Sequence, residues 1–398
     1  MSESSALPLY MRRAEFGPDP ELEALRDGEG VRRVSTPLGI DAWLVTRHED
    51  VRTVMGDAER FSTAWKGGIR LPGALEMSEK ERAELRAGNL LAFDPPEHTR
   101  LRRMLTPEFT IRRMRRLEPR IVGIVEEHLD AMERAGSPAD LVSSFALPVP
   151  SLVICELLGV PYADREGFQR RTSRLLDVSA PPEERMAMQR ESRAYMAELV
   201  ARAQADPGEE LLGMLVREHG DDLTADELVG IGSLLLLAGH ETTANMLGLG
   251  TLALLRHPDQ LELLRKEPER IDATVEELLR WLSIVHSGTS KVTTTEVELS
   301  GHTIGPGEMV MCALPTANRD PSFMPDPEAL DITRGAAGHV AFGHGVHHCL
   351  GAPLARMEMR IAFPALLQRF PELRVAEPDA HFRSFHAIYG LASLQVAW

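Results

Sequence analysis

The chain has 398 residues, 43% hydrophobic and 26% charged, an ordinary globular balance that leaves material for a large core and argues against disorder. Its formal net charge of −16 argues against a nucleic-acid partner, because binding a phosphate backbone needs Lys and Arg clustered over one face. The opening MSESSALPLYMRR lacks an apolar signal region and the longest nearly apolar run, residues 229–239, is too short to cross a bilayer, so a soluble cytoplasmic protein with no membrane contact is expected.

In chain order, residues 1–10 read as a flexible tail. The β-type segments VRRVST and DAWLVT then flank the turn PLGI. A basic island follows on this acidic chain: Arg100, Arg102, Arg103, Arg112, Arg113, Arg115, Arg116 and Arg120 stand against only Glu108 and Glu118 between residues 100 and 120. It is either a solvated helix face or a surface that steers an acidic partner. Apolar periodicity predicts helices over 107–135, 146–159, 163–177, 183–204, 208–218, 224–256, 258–283 and 349–369. The stretch KVTTTEVELSGHTIGPGEMVMCAL, 291–314, reads as hairpins turned at Gly and Pro. No long linker or repeat divides the chain. The expectation is one mainly α domain with small β-sheets over 1–398.

The helix over 224–256 carries most information. Thr224 and Glu227 form a capping box in TADE, and Pro258 ends the pattern after roughly 32 residues, about 48 Å of helix. Its first half, LVGIGSLLLLAG, is apolar nearly all round, as a central buried helix should be. HETTAN then puts Glu241, Thr242, Thr243 and Asn245 into that setting. Burying a carboxylate costs several kcal/mol unless it is paired or serves a wet cavity. Either Glu241 lies on an exposed stripe with the threonines bonded to the preceding turn, or these groups face a functional cavity. This segment alone leaves both open.

Three cysteines without a C-x-x-C pair fit a reducing compartment. Cys155 and Cys312 sit in apolar patterns and read as small buried hydrophobes. Cys349 differs, because HVAFGHGVHHCLGAPLAR surrounds it with glycines and histidines. Zinc is a weak reading, since no second Cys/His pair has suitable spacing. The C-x-x-C-H motif of covalent haem attachment is absent. An iron porphyrin held by the thiolate accounts for more: glycines let backbone approach a flat macrocycle, and the start of a following helix favours a thiolate.

FGHGVHHCLG, Phe342 to Gly351, matches F-G-x-G-x-H-x-C-x-G, and the chain is identified on this segment as resembling the cytochrome P-450 superfamily. AGHETT, EELLR, ANRDP and EHTRLRR occur in the family's order, most like its soluble bacterial, actinobacterial-type members. The resemblance implies that fold, with the long helix over the haem, and Cys349 as axial ligand of haem b iron. Phe342, Gly343 and Gly351 belong to the cofactor loop. His98, Arg102 and His347 resemble the propionate partners, and Lys291 stands where relatives often have Arg, able to supply charge but no bidentate fork. Glu241 and Thr242 match the acid–alcohol pair that delivers protons to dioxygen, with Ala238 and Gly239 leaving room beside the porphyrin. Glu277, Arg280 and Arg319 would be a structural network bracing the cysteine loop.

The implied activity is a monooxygenase that hydroxylates or epoxidises a bulky, mostly apolar molecule, a secondary metabolite such as a polyketide, macrolide, terpenoid or steroid. Oxidative coupling, or ligand binding without catalysis, is the alternative. Trp65, His286 and Ile388 are candidate substrate contacts. No flavin segment or iron–sulfur cysteine set is present, so NAD(P)H-derived electrons would come from a separate ferredoxin and its reductase, with Arg103, Arg112, Arg113, Arg115 and Arg116 as docking patch. A monomer is expected.

Overall fold

The β-branched and aromatic residues of VRRVS and DAWLV pair as an antiparallel hairpin, Val31–Ser35 with Asp41–Val45, in which Arg33 stands opposite Trp43. The computed structural model describes residues 7–36, 39–64, 78–286, 289–377, 379–383 and 385–398. Helices dominate and the sheets are small, as the sequence predicts. The chain divides into a first unit, Met1–Ala74, Leu249–Cys349 and Ala387–Gly390, and a second, Leu75–Gly248, Leu350–His386 and Leu391–Trp398.

In the first unit the hairpin is one edge of a five-stranded sheet. Met309–Cys312 runs parallel to Asp41–Val45, Ser290–Thr293 lies antiparallel beyond it, and Phe61–Ser62 closes the other edge. Met309–Cys312 is buried along its whole length, as a central strand covered on both faces should be. The helices His48–Gly56 and Leu314–Ala317 contribute to one core with it, including Val51, Val54, Val310 and Leu314. The 291–314 stretch also forms the expected hairpin of Val297–Leu299 with His302–Ile304, turned at Ser300 (φ 46) and Gly301 (φ 78).

The helix expected over 258–283 is two helices, Pro258–Lys266 and Ile271–Leu282. Pro268 is the reason: it pushes the preceding Glu267 out of the helical region, to φ −127 and ψ 68, and starts a short 3₁₀ turn. The tail expected over residues 1–10 also stops short, since Leu9–Met11 forms a turn with Tyr10 and Met11 buried. Burial pushes the Tyr10 phenol up to about 12.

In the second unit the segment expected as one helix over 107–135 is broken. A 3₁₀ turn at Thr106–Phe109 and a short helix Ile111–Met114 precede the main helix Glu118–Ala135, which has Pro119 in its first turn. That helix buries Ile121, Ile124, Val125, Leu129 and Met132, a stripe at three- and four-residue spacing. Each such side chain contributes ~1.5–3 kcal/mol of burial. It packs against Pro148–Leu158 and Ala352–Arg369. The long helix runs from Ala225 to Arg256. Its capping box is in place: Thr224 N donates to Glu227 Oε2 at 2.8 Å and Glu227 N to Thr224 Oγ1 at 3.2 Å.

Candidate functional site

The cysteine loop in the first unit is fixed by backbone bonds and by one crowded crossing. Cys349 N donates to Phe342 O at 2.9 Å, His348 N to Gly345 O at 3.0 Å, and Gly343 N to Val340 O at 2.9 Å. Gly343 and Gly345 have φ of 75° and 71°. A Cβ on Gly345 would lie 2.6 Å from Met55 O and 2.8 Å from Gly56 Cα, so the loop crosses the end of helix His48–Gly56 where only glycine fits. The regular helix begins at Ala352, three residues after the cysteine rather than at it. Cys349 is half-buried, whereas Cys155 and Cys312 are fully buried. Burial pushes both of those thiols up to about 12, so they stay protonated. Cys349 is therefore the cysteine suited to act as a ligand.

The loop is braced from behind by a saturated guanidinium. Glu277 and Arg280 are both 0% exposed and joined by two bonds of 2.7 Å. Arg280 also donates to Asn318 O at 3.1 Å, Pro327 O at 2.8 Å and Ala329 O at 3.1 Å, which uses all five of its N–H groups. Arg319 is not bonded to that pair: it donates to Glu328 at 2.6 Å and to the carbonyls of Trp281 and Phe16. The residue that reaches the loop is Asn318, which sequence reasoning missed. Its Oδ1 accepts from Val340 N at 2.7 Å and its Nδ2 donates to Ser283 Oγ at 2.6 Å. The ANRDP motif contained it, but nothing in sequence distinguishes the Asn from the Arg.

Lys291 and His347 meet through Thr63. Lys291, 7% exposed on strand Ser290–Thr293, donates its Nζ to the Thr63 hydroxyl, and Thr63 Oγ1 lies 3.3 Å from His347 Nε2. In the second unit His98, 2% exposed, and Arg102 are four residues apart on helix Glu97–Leu105 and share one face.

On the long helix Glu241 is 1% exposed and its Oε2 accepts from Arg383 Nη1 at 2.8 Å. Thr242 Oγ1 donates to Ala238 O at 2.9 Å, and Asn245 Nδ2 to Glu241 O at 2.7 Å. Of the two readings of this segment, the exposed stripe is thus excluded for Glu241, while Thr242 does bond back to the preceding turn. Ala238 is exposed and Thr242 partly so, a small accessible step in a helix buried around it. Gly239 is different: a Cβ there would fall 2.6 Å from Ile154 Cδ1, so its missing side chain makes room for helix Pro148–Leu158. His240 is fully buried, Nδ1 lies 2.8 Å from Leu236 O, and burial pushes its pKa down.

His286 and Ile388 are brought together in the first unit, where Val285 bridges Ile388 and the His286 ring lies 5.8 Å from Tyr389. Trp65 lies outside the described residues. Of the arginine patch, Arg103, Arg112, Arg115 and Arg116 are exposed, but Arg113 is committed to the fold, 2.8 Å from Glu108 and bonded to Met214 Sδ.

Three features decide whether these residues suit a haem. The accessible thiol lies in a loop pinned by glycine at its crossing, basic side chains offer partners for carboxylates, and no three His, Cys, Asp or Glu gather as a metal-ligand set among the described residues. They fit a thiolate-bound macrocycle better than a bare ion. Comparison with known proteins agrees. The family profile described as Cytochrome P450 matches residues 208–383. The chain is 51% identical over its whole length to all of cytochrome P450 FAS1 of Rhodococcoides fascians. The solved structure of P450 StaH from glycopeptide antibiotic A47934 biosynthesis is 46% identical, with TM-score 0.87 over 98% of this chain and 100% of that one. CYP105P1 in complex with filipin I is 39% identical, with TM-score 0.91 over 98% of each chain.

The fold and the sequence likeness define a haem-dependent oxidoreductase. The chain belongs to the cytochrome P450 family and is a monooxygenase. No helix among the described residues is long and apolar enough to cross a membrane.

Proposed function

We propose that this monooxygenase binds haem b through Cys349 and hydroxylates or epoxidises a bulky, mostly apolar secondary metabolite, with electrons from a separate ferredoxin and its reductase. The loop from Val340 to Cys349 carries the reading, because it presents a half-buried thiol while the other two cysteines are buried. When bound, the haem supplies the iron at which dioxygen is reduced and cleaved, one oxygen atom entering substrate and the other leaving as water.

The chain's own residues bind, orient and move protons. Lys291 and His347, which converge on Thr63, and His98 with Arg102 are the groups for the propionates; charge-assisted bonds to two carboxylates hold the macrocycle against rotation. Glu241 takes a proton at a carboxylate oxygen and Thr242 Oγ passes one on, leaving Ala238 as the small residue beside them. His286 and Ile388 are the candidate substrate contacts that lie among the described residues. Likeness to one protein of glycopeptide antibiotic biosynthesis and to another solved with filipin I supports a large natural product as substrate. Arg103, Arg112, Arg115 and Arg116 are the exposed cations for an acidic ferredoxin.

The test is the reduced, carbon monoxide-bound difference spectrum of purified protein beside Cys349→Ala. A strongly red-shifted Soret band in the wild type, lost in the variant, is expected. A band that survives the substitution refutes Cys349 as ligand.

A further inference from the structure

Two segments of the first unit carry the candidate substrate contacts, His286 just past helix Ile271–Leu282 and Ile388 near the end of the chain. They lie side by side: Val285 bridges Ile388, and Tyr389 N donates to Ile284 O at 2.8 Å. A short N-terminal hairpin, Arg13–Ala14 against Gly17–Pro18, is fastened to both. Tyr389 Oη donates to Glu15 O at 2.5 Å, and Glu15, at φ 54 in the turn of that hairpin, is ion-paired with Arg256.

Arg13 reaches the two segments with one guanidinium. Its Nη2 donates to Leu282 O at 3.1 Å and to Ser283 O at 2.5 Å, where Ser283 (φ 39) ends the helix. Its Cζ lies 4.7 Å from the centre of the Tyr389 ring. No carboxylate pairs with it among the described residues, and its Nε and Nη1 are closed to solvent and find no acceptor there. Burial pushes the group down to about 9, still charged at neutral pH. A buried cation without a counter-ion is costly. What offsets the cost here is the negative end of the helix on one side and the face of an aromatic ring on the other. Both attractions act next to the pocket residues, since Ser283 leads into Val285 and His286, and Tyr389 directly follows Ile388.

We propose that Arg13 is a positioning residue for substrate: by clamping the end of helix Ile271–Leu282 to Tyr389 it fixes how His286 and Ile388 stand to each other, and so selects among ligands by their bulk. This rests on the reading of His286 and Ile388 as substrate contacts given above. Arg13 acts through Ser283 O and the Tyr389 ring rather than on the reacting atoms.

The test titrates the haem-loaded protein with two ligands that bind ferric iron through the same kind of nitrogen. Imidazole needs room beside the iron alone, whereas phenylimidazole must also seat its phenyl ring against the pocket wall. Arg13→Leu is expected to weaken phenylimidazole several-fold while imidazole affinity and the red-shifted carbon monoxide band stay as in wild type. R13K, which keeps the charge and a bond to the helix end but not the flat face on Tyr389, is expected between the two, and it carries the test alone should R13L fail to hold haem. Equal affinity of wild type and variant for phenylimidazole would overturn the proposal. So would equal weakening of both ligands, which is what a general loosening of the fold produces. Ile388→Ala separates the proposal from the reading beneath it. If I388A alters phenylimidazole binding and neither R13L nor R13K does, Arg13 has no such role and the contact stands. If I388A binds both ligands as wild type does, the reading of Ile388 as substrate contact fails, and this proposal with it.

Discussion

Replacing Arg280 by Lys keeps the charge and most of the volume but removes the fork. Arg280 is 0% exposed and makes five bonds, two to Glu277 and one each to the carbonyls of Asn318, Pro327 and Ala329. An ammonium has three donors on one nitrogen, so at least two of those five acceptors lose their partner where water does not reach. Each orphaned buried acceptor costs about 1–3 kcal/mol, giving roughly 2–6 kcal/mol for the substitution. Against a total stability of about 5–15 kcal/mol this is a large fraction. For a chain of this size it corresponds to a fall in Tm of roughly 2–7 °C. The measurement is thermal loss of the Soret band of the carbon monoxide complex beside loss of helical circular dichroism. Because Asn318, whose carbonyl Arg280 holds, also grips Val340 N, the Soret signal should fail before the helices do. A Tm within about 1 °C of wild type, or coincident transitions shifted equally, would refute the view that this guanidinium is a brace for the cysteine loop.

Three further outcomes are expected. Glu358, 1% exposed on helix Ala352–Arg369, has its carboxyl pushed well above the ordinary 4.5 by burial. A raised folded-state pKa gives stability that is complete below the unfolded value and lost as pH rises towards the folded one. Glu358→Gln should therefore gain on wild type by ~1.4 kcal/mol per pH unit above 4.5, until the folded pKa is reached; denaturant titrations from about pH 5 to 8 check it, and a constant gap would count against it. Thr242→Ala should retain haem but divert reducing equivalents to peroxide or water, seen as peroxide formed per NAD(P)H consumed; full coupling would remove Thr242 from the relay. Arg112→Glu with Arg115→Glu should slow reduction by ferredoxin at low salt and converge on wild type at high salt, followed by stopped flow, whereas a salt-independent effect would place docking elsewhere. Arg113 is left intact in that test because its ion pair with Glu108 belongs to the fold.

Local signals were legible wherever a side-chain pattern repeats or a motif is contiguous. The capping box at Thr224 and Glu227, the long helix, the hairpin turned at Ser300 and Gly301, and the cysteine loop all lie within short stretches whose geometry their own residues dictate. Short polar helices such as Glu79–Arg86 and Glu97–Leu105 bury too narrow a stripe to stand out by period. Pro268 and Pro119 were visible but were outweighed by the apolar pattern running through them, and backbone sterics won. What stayed hidden is pairwise and distant. Nothing around Arg383 marks it as the partner of Glu241, 142 residues away. The parallel pairing of Met309–Cys312 with Asp41–Val45 joins segments no local rule connects. Gly239 shows the converse case: the sequence reading gives its space to the porphyrin, whereas packing puts Ile154 Cδ1 2.6 Å from where its Cβ would lie.

The burial of Cys155 and Cys312 has a practical side. Both thiols are shielded and held protonated, while Cys349 is half-buried. An alkylating reagent applied to folded protein therefore has one sulfur to modify, and iron bound to that sulfur would shield it. Counting alkyl groups by intact mass then becomes a census of cofactor loading, molecule by molecule, that needs no substrate, no redox partner and no spectrum.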